Sequence, residues 1–202
     1  MATDGHGLSA MSAWRADMLA RTTSEVVWIG HLANGKVHIV HQAVPHDSVV
    51  QVVGGDGVLP WYACALGHAI VAGLDPTAQE ALLAMPFERL TGLTVTRADD
   101  LRQVLATTRR RGYAVEAHLA TLGDAGIAAP VFDSSRRTIG AIGIVGPAER
   151  LLSAQRQEGL AAAVCAAAQR LSGEASAKTR PDPRGAVGGS LARGAAAHDV
   201  QG

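Results

Sequence analysis

Asn34-Gly35 stands between two runs with strand character, residues 25–33 (EVVWIGHLA) and 36–44 (KVHIVHQAV). A two-residue connection of this kind closes a β-hairpin, because both residues tolerate the positive φ that a type I′ turn demands. The first run is rich in β-branched and aromatic residues, and the second alternates apolar with polar. An antiparallel pair is thus specified early in the chain, and other elements must cover its apolar face. Residues 47–53 read as a third strand, which Gly54-Gly55-Asp56-Gly57 breaks.

Helical periods surround this hairpin. Residues 9–21 carry Met11, Trp14, Met18 and Leu19 at roughly helical spacing, an amphipathic opening helix. Residues 61–74 (WYACALGHAIVAGL) predict an apolar helix with no clean polar face, the pattern of a buried one. Asp75-Pro76-Thr77 starts another, since Pro suits a first helical position. Residues 98–111 form a third with Leu101, Val104, Leu105 and Thr108 as its stripe. Arg109, Arg110 and Arg111 complement its C-terminal dipole, and Gly112 supplies the left-handed stop. That arginine triplet reads as a solvated helix end rather than a nucleic-acid patch. Strands are predicted at 113–119, 126–132 and 138–145, and a closing helix at 148–171 with Leu160, Val164, Ala167 and Leu171 on one face. Beyond Ser172 the chain is Gly, Ala, Pro, Ser and Arg without periodicity, a composition expected to be disordered. The expected division is an N-terminal helix and linker (1–24), one domain (25–171) and a tail (172–202). Hairpins at both ends imply a six-stranded, largely antiparallel sheet flanked by helices. This is an α+β architecture of the curved GAF/PAS type, with no crossover pattern for a dinucleotide fold.

Composition narrows the function classes. Eighteen basic residues balance eighteen acidic ones, so no global field draws nucleic acid or an anionic membrane. Cys64 and Cys165 do not make a disulfide framework. The first nineteen residues lack a signal-peptide core, and the uncharged stretch 57–74 is broken by Pro60, glycines and His68. A cytoplasmic protein is expected, with no membrane partner.

The glycine loop at 54–57 is not a phosphate loop, because no Gly-Lys-Ser/Thr follows and Asp56 repels phosphate. A helix beginning near Cys64 nevertheless leaves the amides of Ala65 and Leu66 without intrahelical partners. Either a small carboxylate or a capping group, water or side chain, would satisfy them. Cys64 and His68 lie four apart on one helix face, the spacing of a metal pair, but His118 or His41 would have to converge to complete a site. A buried thiol beside a rim histidine is the simpler reading. As nucleophile and base the pair lacks an orienting carboxylate, and no serine stands in a nucleophile elbow. No metal, cofactor or catalytic residue is expected.

Four segments together resemble the IclR family of bacterial transcription regulators. Residues 59–72 (LPWYACALGHAIVA) are similar to its LPLHATALGKALLA signature, 111–115 to RGYAV, 127–133 (IAAPVFD) to IAAPVRD, and 139–147 (IGAIGIVGP) to VVAALSVSGP. They occur in the family's order and spacing, over roughly residues 9–171. The resemblance implies an effector-sensing domain in a homodimer or tetramer. Its effector carboxylate would be held by the amides of Ala65 and Leu66, beside Cys64. Glu116 follows RGYAV; it would accept from a ligand hydroxyl or close the pocket, and His118 is expected on the same strand face. Where the family often has a cysteine and two serines, this chain has Gly126, Gly143 and Val145. Losing those groups strands polar ligand atoms at about 1–3 kcal/mol each. A carboxylate with an apolar body is therefore expected, bulkier than a two- or three-carbon keto acid, unless the pocket has decayed. The family's signature lysine is His68 here, which makes the local charge pH-dependent. No recognition helix fits into residues 1–24, so DNA would be read through a winged helix-turn-helix that is absent or separate. Two alternatives stand beside this reading: a small Cys/His or metal-dependent enzyme, and a DNA-binding-deficient dimerisation partner of full-length regulators.

Overall fold

The computed structural model describes residues 5–45 and 57–178. Helix α1 (Gly5–Thr23) leads into β1 (Val26–Ala33) and β2 (Lys36–Ala43), and β3 (Val58–Pro60) completes the first three strands. A 3₁₀ turn (Trp61–Ala63) precedes α2 (Ala65–Ala72), α3 (Pro76–Leu83) and α4 (Ala98–Arg111). Then come β4 (Ala114–Ala117), β5 (Asp124–Phe132), β6 (Thr138–Pro147), α5 (Ala148–Leu151) and α6 (Gln157–Lys178). The strands form one sheet in the order β3-β2-β1-β6-β5-β4, every neighbouring pair antiparallel. Bulges at Ile29/Gly30 and Val131/Phe132 help it curl. The β1–β2 turn has φ of 52° at Asn34 and 72° at Gly35, the conformation that dipeptide favours.

Alternation along the strands divides the core in two. Trp28, Leu32, Val37, Ala128 and Ala141 face the side of α2 and α4, whereas Val27, Ile29, Ile127, Ala129 and Ile142 pack beneath α1 and α6. The α2 helix is buried along its whole length, as its all-round apolar sequence predicts. Gly112 adopts φ 82° and stops α4. Arg109 at that end does more than solvate it: Nε donates to the Ala72 carbonyl at 2.9 Å and Nη2 to that of Leu74 at 3.2 Å, satisfying the end of α2.

Several boundaries differ from expectation, each for a local reason. The strand expected at 47–53 lies outside the described residues, as do 179–202; the third strand observed is β3. The helix expected at 61–74 is split because Cys64 is extended (φ −146°, ψ 150°). The closing helix is interrupted by the 152–156 turn, where Arg156 and Gln157 amides both return to Ser153. It then continues past Leu171, where the closing helix is expected to end, to Lys178. Ser172 is an ordered part of this helix: its hydroxyl donates to the Ala168 carbonyl and accepts from the Phe132 amide.

Glu25, just before β1, is 1% exposed and is held by two arginines. Arg150 grips it in a fork, Nε to Oε1 at 2.8 Å and Nη2 to Oε2 at 2.6 Å, while Arg156 adds a contact at 3.2 Å. This network ties the entry of the sheet to α5 and the start of α6.

Candidate functional site

The site is built around the start of α2. Cys64 caps the helix with its sulfur, which accepts from the Gly67 amide at 3.4 Å, and the thiol itself donates to the Pro60 carbonyl at 3.6 Å. The Cys64 carbonyl takes the His68 amide. Among the described residues no acceptor takes the amides of Ala65 and Leu66, two of the donors every helix start leaves without an intrahelical partner. Gly67 is what lets the 3₁₀ turn fold back so closely: a Cβ there would lie 2.1 Å from the Trp61 carbonyl oxygen.

Below this helix start lies a small hollow, open at one side, with a cavity volume of about 40 Å³, so a ligand larger than a few water molecules extends out through its mouth. The sheet register supplies its floor. Glu116 pairs with Gly126 and Gly126 with Val145, one row across three strands; Ala128, Gly143 and Trp28 form the next row. Both rows face α2, so residues widely separated in sequence meet there. Cys64, Ala65, Leu66, Glu116, Gly126, Gly143 and Val145 all line the hollow. His118 does not. The β4 strand ends at Ala117, and His118 turns to φ 64°, which breaks the alternation that would place it beside Glu116. Its Nδ1 instead accepts from the Gly123 amide at 2.9 Å.

Trp28, Leu59, Ala120, Thr121 and Asp124 also line it, and sequence reasoning missed them. Ala120 and Thr121 belong to the β4–β5 connection and Asp124 opens β5, and nothing in their local pattern says that this stretch returns over the hollow. Trp28 is legible only as a core strand residue. It is 7% exposed, and its indole Nε1 is buried with no partner among the described residues.

The two glycines play different parts. A Cβ at Gly126 would stand 3.0 Å from the Ala65 Cβ and 3.1 Å from Glu116 Oε1, so a bare backbone here lets the carboxyl group approach the helix start. A Cβ at Gly143 would meet the Ala128 Cβ at 2.7 Å and the Ile127 carbonyl at 2.8 Å; the neighbouring strand already fills that place.

Electrostatically the hollow contains acids and no base among the described residues: neither lysine, arginine nor histidine of these lines it. Burial pushes the Glu116 carboxyl up to about 8, the Leu119 amide that bonds it pulls the other way, and Asp124 adds to the rise. Burial likewise pushes the Cys64 thiol up to about 12, only partly opposed by the Gly67 amide. His68 points away from Cys64's partners: its Nε2 meets the Tyr62 carbonyl at 2.9 Å, and burial lowers it to about 4. Cys64 and His68 therefore make neither a thiolate–base couple nor a metal pair. His41, opposite Ile29, lies on the α1 side of the sheet, and no group of three or more metal-ligating side chains is assembled among the described residues.

A curled six-stranded antiparallel sheet flanked by helices is shared with known proteins. The family described as "Bacterial transcriptional regulator IclR C-terminal" matches residues 1–173. The chain belongs to the IclR family. The glycerol operon regulatory protein of Streptomyces griseus is 37% identical over 148 residues, 73% of this chain and 58% of that protein. The chain spans a little over half the length of curated relatives such as this one and a regulator from Paracoccus denitrificans. Among solved structures, a putative transcriptional regulator from Rhodococcus sp. RHA1 superposes with a TM-score of 0.79 at 24% identity, covering 86% of this chain and 71% of that one. An IclR homologue from Microbacterium hydrocarbonoxydans, solved in complex with 4-hydroxybenzoate, gives a TM-score of 0.69 at 25% identity, covering 80% and 65%. The fold is thus the IclR effector-domain fold, and no described helix is long and apolar enough to cross a membrane.

Proposed function

We propose that this IclR-type domain senses a small organic acid with an apolar body, bound in the hollow beneath α2. The carrying observation is the presence, on one cavity wall, of first-turn amides at Ala65 and Leu66 that no described residue accepts. Helix N-termini hold anions through such donors and the helix dipole. Trp28, Leu59 and Val145 offer apolar surface for the rest of the ligand. The 4-hydroxybenzoate complex of the Microbacterium homologue supports the same ligand chemistry.

In this reading Cys64, Ala65, Leu66, Glu116, Gly126, Gly143 and Val145 contact the effector, and His118 is set aside because its ring is engaged outside the hollow. Occupancy changes the balance between subunit arrangements in a cytoplasmic homodimer or tetramer, which requires different affinities in the two states. DNA is read through a winged helix-turn-helix outside the described domain.

A thermal-shift panel tests the proposal. Benzoate and 4-hydroxybenzoate are expected to raise the melting temperature, since a ligand at about ten times its Kd stabilises the folded state by roughly 1.4 kcal/mol. Glyoxylate and pyruvate are expected to bind no better than millimolar, because the hollow offers few hydrogen-bonding partners for a very small polar acid. Sub-millimolar binding of either keto acid, or no shift with any aromatic acid, refutes the assignment.

A further inference from the structure

The cavity that holds the candidate anion site has an unusual neighbour for an anion. Glu116 Oε1 and the Ala65 Cβ both lie within about 3 Å of the single point where a Gly126 Cβ would stand. A carboxylate on the amides of Ala65 and Leu66 would therefore be a close neighbour of the Glu116 carboxyl. The described residues that line the hollow around Glu116 offer no compensating charge. The start of β5 contributes Asp124, of the same sign; the cap of α2 contributes Cys64, whose thiol is neutral; β1, β6 and the β4–β5 connection contribute uncharged residues, among them Trp28, Gly143, Val145 and Thr121. Among the described residues lining the hollow, no cation offsets a second negative charge. Two carboxyl groups at such a distance cannot both ionise without strong repulsion, and the stable arrangement shares one proton between them.

We infer that the hollow takes up a carboxylate effector together with one proton, held between the ligand and Glu116. The inference rests on the reading of this cavity as an acid-binding site. The proton comes from solvent whenever Glu116 is ionised in the free protein, and it converts Glu116 from a repelling neighbour into a donor to the ligand oxygen. A charge-assisted O–H···O⁻ bond of this type is short and strong. Specificity follows: an anion is bound here by a helix start and a neutral acid, with no arginine or lysine involved.

Calorimetry on the full 202-residue chain with benzoate tests this, because benzoate does not itself titrate between about pH 6 and pH 9.5. Titrations in two buffers of different ionisation enthalpy count the protons taken up per benzoate. The expected result is a count near zero at about pH 6 that rises toward one near pH 9, with the Kd increasing up to about tenfold per pH unit above about pH 8. In E116Q, whose amide is neutral at every pH, both the proton count and the slope are expected to vanish. Benzoate binding by the wild-type chain with a flat Kd and no proton uptake near pH 9 overturns the inference and leaves the cavity an acid site. A slope that persists in E116Q overturns the role of Glu116. Absence of benzoate binding at every pH overturns the acid-site reading itself, and this inference with it.

Discussion

Replacing Glu116 by Gln is expected to stabilise the ligand-free protein by an amount that grows with pH. In the folded chain burial and the nearby Asp124 hold this carboxyl up at about 8, against an ordinary value of 4.5. Between those values the unfolded chain has lost the proton and the folded chain keeps it, so folding takes up a proton. The sign follows from linkage: the group's contribution is fully present below about pH 4.5 and is lost as pH rises through about 8. At about 1.36 kcal/mol per unit, the full displacement sets a ceiling near 5 kcal/mol. Glu116 is only partly buried and the hollow opens to water, so screening reduces the effect to roughly 1–3 kcal/mol. Gln keeps the shape of the side chain and never ionises. Urea titrations of both proteins at about pH 5, 7 and 9 should show the variant's midpoint pulling ahead of the wild type as pH rises, with unchanged m-values. Other titrating groups are common to both chains and cancel in the difference. A gap that stays constant across the range, or one that closes toward pH 9, refutes the argument.

His68 carries the opposite sign. Its folded value is depressed to about 4, and a second proton would fall on Nδ1, which is buried without a partner among the described residues. Its contribution is present above about 6.5 and lost as pH falls through 4, up to about 3 kcal/mol; the melting temperature of His68→Gln should depend less steeply on pH in that window. Gly67→Ala should cost about 3 kcal/mol despite alanine's better helix propensity, because its Cβ would sit 2.1 Å from the Trp61 carbonyl; a raised urea midpoint would contradict this. Glu25→Ala should cost about 2 kcal/mol, less than the roughly 3–5 kcal/mol of a fully buried broken pair, since Arg150 and Arg156 are exposed enough to rehydrate. Denaturation showing no loss would count against that network's role.

How much of the fold was legible depended on where each signal acts. The β1–β2 hairpin was written in two residues, because turn φ values restrict residue type directly, and Asn34 and Gly35 take them. The α4 boundary was equally local, with Gly112 left-handed at its end. Splitting of the 61–74 segment was not visible, since its hydrophobic run is continuous; the break at Cys64 comes from an extended backbone that lets the thiol cap α2. The extension of α6 beyond Leu171 was hidden because Ser172, Gly173 and Ser176 look like linker composition. Two of them gain backbone partners only within the formed helix, Ser172 to Ala168 and Ser176 to Ser172.

The site was legible where it depends on backbone and illegible where it depends on what converges from other strands. Unpaired amides at Ala65 and Leu66 follow from the start of any helix, whichever partner they meet. His118 was misplaced because a strand period was carried one residue too far, across a positive φ that no glycine marks. Gly126 and Gly143 looked equivalent, two positions where a thiol and a hydroxyl had been lost. Register separates them. At Gly143 the facing Ala128 already occupies the space, so a hydroxyl there would require the strands to shift. At Gly126 the missing side chain is what brings Glu116 up to the helix start, and that approach makes the acid's protonation matter. An acidic residue on a short strand ordinarily reads as a solvent-facing one. Its chemistry here comes from Asp124 on the next strand, from a glycine opposite and from a hollow without cations among the described residues; neither Asp124 nor Gly126 lies within seven residues of it in sequence.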